Sequence, residues 1–378
     1  MQLMNETQLE SAFAASGLAG AVTMILDANG PRYLRAFGET TGGGAAMQPN
    51  TLFQIASMTK ALVSVGAMQL VEQGRLALDA PIGDVLPELA DPQVLTGFDA
   101  DGRPQTRSAA TPLTLRHLLT HTSGFGYSFI HPEVLQYYAA TGMPAAGSLD
   151  TIRMPLMFDP GSRWEYGVST DWVGRAIEAV TGQRLGEYLA VNVFAPLGMA
   201  DTAFRDALPD GAALVHARTP DGGLQAIPVF LGGGEFDMGG GGLTSTAPDY
   251  ARFLQMMLRG GELAGTRVLQ PETVAEMGRN QIGDLRAGYM GTAMPELAQP
   301  YDTFPDQHTG WGLGFLINPE PGPNGRSPGS LAWAGIFNSY YWIDPVKGVA
   351  GVFMSQLSPF GDLRALDMFA ALERMAYS

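Results

Sequence analysis

The sequence predicts an α/β fold of the α+β kind: an antiparallel sheet built from both ends of the chain, flanked by helices and joined to a mainly helical lobe. Three observations carry this. Strand patterns gather near the two termini, helix patterns fill the stretch between them, and 378 residues exceed what one hydrophobic core usually holds. The chain is therefore expected to form a single unit of two lobes, an α/β lobe over 1–56 and 307–378 and a mainly helical lobe over 57–306. A cleft between them is the natural place for a site.

At the amino end, ETQLESAFAAS reads as an amphipathic helix. GAVTMILDA and RYLRAFGE follow as strands joined by the turn-forming Asn29-Gly30-Pro31. At the other end, GWGLGFLIN, SLAWAGIFNSYYWID and GVAGVFMSQ read as three strands, and a helix from Leu363 to Met375 closes the chain. Between them, Ser57 to Gln73 suits a helix with Gly74 as its left-handed cap, and the run after Thr170 suits another ending at Gly182. The segments 91–111 and 283–309 lack periodicity and are rich in Gly, Pro and Asp, so they read as loops at the surface or the cleft rim.

Composition narrows the function. With 46% hydrophobic and 16% charged residues the chain is an ordinary globular protein. A net charge of -15 leaves no basic surface for nucleic acid and disfavours anionic membranes. No apolar run approaches the roughly 18 residues of a membrane span. The first thirty residues hold no Lys or Arg and do not read as a secretory signal, so a cytoplasmic location is the expectation. The absence of cysteine excludes disulfides, thiolate metal sites and a Cys nucleophile.

The chain has two lysines, Lys60 and Lys347, among 22 basic residues, and Lys60 lies three positions after Ser57. On a helix that spacing puts both side chains on one face. A guanidinium stays protonated, whereas an amine surrounded by apolar side chains can give up its proton and act as a base. Ser57 at a helix start would also gain free N–H groups and partial positive charge, which favour an oxyanion. The plain alternative is an N-cap serine with a solvated first-turn lysine. Two other segments bear on the choice: Tyr166 in the loop of DPGSRWEYG, and the small pair Ala334-Gly335 in a strand, where a ligand can approach the backbone closely.

In this order, LFQIASMTKALVSVGAMQLVEQGRLALDAPIGDVLP, LTLRHLLTHTSGF, PGSRWEYG, GGGGLTSTAPDYARFLQMML and WAGIFNSYYWIDP resemble the penicillin-recognising serine hydrolases, with their β-lactamase-like fold. That superfamily holds class C type β-lactamases, D-alanyl-D-alanine peptidases and family VIII carboxylesterases. The resemblance implies Ser57 as acylated nucleophile, Lys60 as its proton acceptor and Tyr166 as the shuttle to leaving group and water. It places the oxyanion hole at the backbone N–H groups of Ser57 and Ile336. It implies neither metal nor organic cofactor.

Two departures concern the substrate. Lactamases and peptidases of this kind carry Lys-Thr-Gly where this chain has Trp333-Ala334-Gly335, and Asn where it has Val168. A pocket lacking both groups should reject anionic amides, because an unpaired carboxylate would be desolvated without compensation. The W-x-G pattern resembles family VIII esterases, so the expectation is a carboxylesterase for neutral small-acyl esters. A β-lactamase or D-amino-acid peptidase, an acyltransferase using the same acyl-enzyme, and a non-enzymatic binding protein are the alternatives. Trp333, Gly335, Val168, Phe125 and Tyr127 are the candidate substrate-binding residues; for Phe125 and Tyr127, burial as loop aromatics is the competing reading. The expected partner is a small-molecule ester, and the sequence assigns no oligomeric state.

Other readings are weaker. There is no G-x-S-x-G for an α/β-hydrolase triad. His117 and His121 are four apart but lack the H-E-x-x-H glutamate, so structural hydrogen bonding is expected of them. The glycine runs at 42–44, 232–234 and 239–242 have no following G-K-S/T and read as tight loops.

Overall fold

Seven strands drawn from the two ends of the chain form one antiparallel sheet. The computed structural model describes residues 2–219 and 221–378, with side chains from Glu6 onward. The strands are β1 (Gly20–Asp27), β2 (Gly30–Gly38), β3 (Gly310–Trp311), β4 (Leu316–Ile317), β5 (Leu331–Gly335), β6 (Ser339–Asp344) and β7 (Val349–Met354), in the order β3-β4-β5-β6-β7-β1-β2. The amino-terminal hairpin thus completes a sheet begun by the last third of the chain. Strand β1 is buried along seven of its eight residues and is apolar apart from Thr23 and Asp27, whereas the edge strand β2 is buried only at Gly30 and Phe37.

Helices cover both faces. Helix α1 (Gln2–Ser16) packs on the terminal helix (Leu363–Ala376), and a further helix (Ala247–Leu258) packs on β1 and β7. Successive residues of a strand point to opposite faces. On β6, Tyr341 meets Tyr250 at 5.3 Å between ring centroids while Trp342 meets Phe369 at 5.7 Å, so the helices carrying Tyr250 and Phe369 lie on opposite sides. The helix Ala247–Leu258 therefore belongs with the sheet, although the expected boundary placed it in the helical lobe. Trp342 also covers Gly351, its register partner on β7; a Cβ there would lie 2.1 Å from the indole.

The strand pattern differs from expectation at several places. GWGLGFLIN is the hairpin β3–β4, turned at Gly314 (φ 98°), and a Cβ on Gly312 would be 2.1 Å from the Met277 carbonyl. SLAWAGIFNSYYWID is two strands, β5 and β6, reversed at Ile336-Phe337-Asn338 with Asn338 at φ 58°. The Asn338 amide satisfies this turn by donating to the Leu357 and Pro359 carbonyls. The segment 91–111, expected as loop, carries a small hairpin, Gln93–Phe98 with Pro104–Ser108.

Helix α2 (Thr59–Glu72) runs through the centre of the molecule. Every residue from Thr59 to Leu70 is buried, so its surroundings are apolar all round rather than along one stripe. Gly74 turns left-handed (φ 67°) just past its end, as the sequence predicts. Against α2 packs α3 (Ser169–Thr181), which stops at left-handed Gly182. Among the described residues, no helix is long and apolar enough to cross a membrane.

Candidate active site

Ser57 lies in a short 3-10 turn (Ala56–Met58) that leads directly into α2. The preceding residue, Ala56, holds φ 45°, a strained conformation for a residue with a Cβ. Ser57 remains partly accessible while its neighbours are buried. One turn on, Lys60 is 1% exposed, and its Nζ reaches Ser57 Oγ at 3.1 Å, as the three-residue spacing requires. Nζ also donates to Tyr127 Oη at 3.0 Å and to the Gly240 carbonyl at 2.6 Å. Burial lowers its pKa to about 7, while the Asp171 carboxylate pulls in the opposite direction. At neutral pH a large fraction of Lys60 is therefore a free amine beside a serine hydroxyl.

Tyr166 stands beside both Ser57 and Lys60. Its hydroxyl accepts a hydrogen bond from Trp333 Nε1 at 3.0 Å and is within hydrogen-bonding reach of Ser57. Lys60 Nζ lies 4.7 Å from its ring centroid. Burial pushes the phenol well above its usual range, against the pull of its Ser57 and Trp333 hydrogen bonds, so Tyr166 stays protonated at neutral pH. Trp333 is fixed edge-on against Trp311, with centroids 4.6 Å apart. His121 is buried among Trp164, Tyr166 and Trp311, and burial holds it neutral. His117 lies apart, beside Gly161. Among the described residues, no group of three or more His, Cys, Asp and Glu is placed to hold a metal ion.

The end of β5 closes on the serine. Gly335 packs so tightly on the Ile55–Ala56 backbone that a Cβ would be 2.5 Å from the Ile55 carbonyl oxygen. This contact brings Ile336 to the same opening as Ser57, and both residues line each of the two cavities that meet there. Ile336 lies just beyond β5, and among the described residues no loop hydrogen bond takes up its N–H.

One cavity is a narrow cleft of about 30 Å³, walled by Ile130, Tyr166, Met290, Trp333 and Phe360. The other, about 330 Å³, is walled by Tyr127, Tyr138, Ile152, Val168 and Phe236 among others. Among the described residues, no arginine or lysine lines either one. Of the expected walls, Trp333 and Gly335 lie on the first, and Val168 and Tyr127 on the second. Phe125 lines neither: it is buried behind the site with its ring stacked on Trp172, which makes it a packing residue. The segment 283–309 reaches the narrow cleft through Met290, Gly291, Ala298 and Gln299, at the rim where a loop was expected.

Three contributions were not read from the sequence. Tyr127 is a hydrogen-bond partner of Lys60 as well as a wall, the Gly240 carbonyl is another partner, and Asp171 is a buried carboxyl group next to them, on the wall of the larger cavity. The glycine run at 239–242 was the available signal. It forms the tight loop expected of it, and the peptide of Gly240 closes over the lysine.

The beta-lactamase family model matches residues 7–374. The chain belongs to the beta-lactamase family. Monacolin J acid methylbutanoyltransferase of Aspergillus terreus is 33% identical over 400 aligned positions, which cover all of this chain and 95% of that protein. Lovastatin esterase of Penicillium rubens is 33% identical over 381 positions, covering 95% of this chain and 94% of its own. The solved structure of a mutant simvastatin synthase (LovD6) from Aspergillus terreus superposes with a TM-score of 0.85 at 32% identity, covering 99% of this chain and 96% of that one. This beta-lactamase family member is accordingly an enzyme of the serine β-lactamase-like superfamily and has its fold.

Proposed function

We propose that the protein cleaves neutral carboxylic esters with small acyl groups through an acyl-enzyme on Ser57. The observation that carries this reading is the buried Lys60 amine 3.1 Å from Ser57 Oγ. Neutral Lys60 takes the Ser57 proton as Oγ bonds to the ester carbonyl carbon, and the oxyanion is held by the N–H groups of Ser57 and Ile336. As the intermediate collapses, the bond to the alkoxy oxygen breaks, Tyr166 Oη protonates the departing alcohol, and Lys60 returns its proton to Tyr166. Water then attacks the acyl-enzyme by the same steps in reverse, releasing the acid and restoring Ser57. Among the described residues no arginine or lysine lines the two cavities, which favours neutral esters over substrates bearing a carboxylate.

A second reading replaces water by an alcohol, so that the acyl group is transferred rather than hydrolysed. The methylbutanoyltransferase among the relatives and the apolar cavity of about 330 Å³, wide enough for a bulky alcohol, support it. The experiment is turnover of p-nitrophenyl butyrate with and without an alcohol acceptor, alongside a chromogenic cephalosporin, with Ser57→Ala as the blank. Ester cleavage with negligible ring opening supports the first reading, and new ester exceeding free acid supports the second. Ring opening faster than ester cleavage overturns both.

A further inference from the structure

A buried carboxylate stands behind the lysine. Asp171, in the first turn of α3, is 5% exposed, and its Oδ1 accepts the Gly240 N–H at 2.8 Å. The carbonyl of the same residue, Gly240, accepts from Lys60 Nζ at 2.6 Å. One residue thus joins the two side chains, its N–H to Asp171 and its C=O to Lys60. Position 240 has no room for a side chain, since a Cβ would fall 2.5 Å from Asp171 Oδ2 and 2.9 Å from Tyr127 Oη. The tight loop and the buried acid are built around one another.

We propose that Asp171 is a positioning residue for Lys60, holding Gly240 so that its carbonyl faces the ammonium and placing a negative charge behind the base. The proposal rests on the reading of Lys60 as the proton acceptor for Ser57. A buried amine left alone loses its proton readily but becomes a weak base, whereas a buried carboxylate near it favours the protonated form. Asp171 sets the balance, and burial works against charge on both members of the pair. The other groups facing Lys60 are the Ser57 hydroxyl, the Tyr127 and Tyr166 phenols and His121. Burial keeps both phenols and the imidazole neutral, so Asp171 is the acid that supplies charge to the network.

Asp171→Asn removes the charge while leaving an oxygen for the Gly240 N–H. The acidic limb of the kcat/KM profile for p-nitrophenyl butyrate should move to lower pH by about one unit, the low end of what a neighbouring charge does to a pKa. The expected loss in the plateau rate is roughly tenfold, from the weaker base. Asp171→Glu should return the limb toward its original position. An unmoved limb in a folded Asp171→Asn protein overturns the proposal, because a merely structural role would lower the rate without shifting the profile.

The wild-type protein gives an independent test, since it contains two lysines and Lys347 is exposed. With lysine labelled with carbon-13 at Cε, the Lys60 signal should titrate in two steps, its own ionisation and a second at lower pH from Asp171. A single step overturns the proposal even if Asp171→Asn fails to fold. This titration needs no turnover, so failure of the ester-cleavage reading, seen as full activity in Ser57→Ala, is distinguishable from failure of the Asp171 link.

Discussion

Trp333 Nε1 donates to Tyr166 Oη at 3.0 Å, linking the strand that borders the oxyanion site to the phenol assigned to protonate the leaving alcohol. The indole is also wedged edge-on against Trp311. Trp333→Phe keeps most of the ring and removes the donor, and kcat should fall about two- to tenfold, the cost of one ordinary hydrogen bond. KM for short esters should change little. Trp333→Lys should move preference toward anionic substrates, although it also removes one of the ring contacts of Trp311, which keeps those with His121 and Trp164; comparing p-nitrophenyl butyrate with a carboxylate-bearing ester checks both variants.

The pH profile follows from Lys60 and Tyr166. Lys60 must be neutral to accept the Ser57 proton, and its pKa lies at about 7. Activity should therefore rise with pH through that value and level off above it. Tyr166 is pushed above its usual range and must stay protonated to donate, so no falling limb should appear below the ordinary tyrosine pKa of about 10. A kcat/KM profile at constant ionic strength tests both statements.

Tyr166→Phe should lower kcat by roughly 10²- to 10⁴-fold, the usual contribution of a positioned proton donor, with the fold intact. The ring contacts with His121 and Trp333 do not need the hydroxyl. An unchanged circular dichroism spectrum beside the lost activity, with the melting temperature lowered only by the lost Trp333 hydrogen bond, would place the effect in the chemistry.

Gly351→Ala tests the sheet rather than the site. The new methyl would enter the space occupied by the Trp342 ring in the register pair Trp342–Gly351. It should destabilise the protein by about 1–3 kcal/mol, the usual cost of overpacking, and lower the melting temperature. The pH dependence of the remaining activity should not move.

Ser57 and Lys60 were legible in the sequence because a three-residue helical spacing is local geometry. The roles of Tyr166, Trp333 and Ile336 were reached through resemblance, since tertiary packing brings them to the serine: β5 closes on the Ile55–Ala56 turn with Trp333 and Ile336, and Tyr166 comes from the loop before α3. The hairpins at β3–β4 and β5–β6 were hidden for a different reason. Strands buried on both faces read as unbroken apolar runs, and Asn338 or Gly314 does not stand out as a turn within them. Asp171 was invisible as a buried charge because an acid in the first turn of a helix looks like an ordinary dipole partner. For Phe125, two residues from Tyr127, the sequence leaves cleft wall and buried loop aromatic both open, and its ring packs on Trp172.

The most direct measurement is mass spectrometry of the protein quenched during turnover of p-nitrophenyl butyrate, followed by peptide mapping. Acylation of Ser57 predicts a butyryl adduct on that residue in the wild type and, with longer life, in a variant slowed in deacylation, with none in Ser57→Ala. An adduct at another residue, or undiminished turnover by Ser57→Ala, would contradict it.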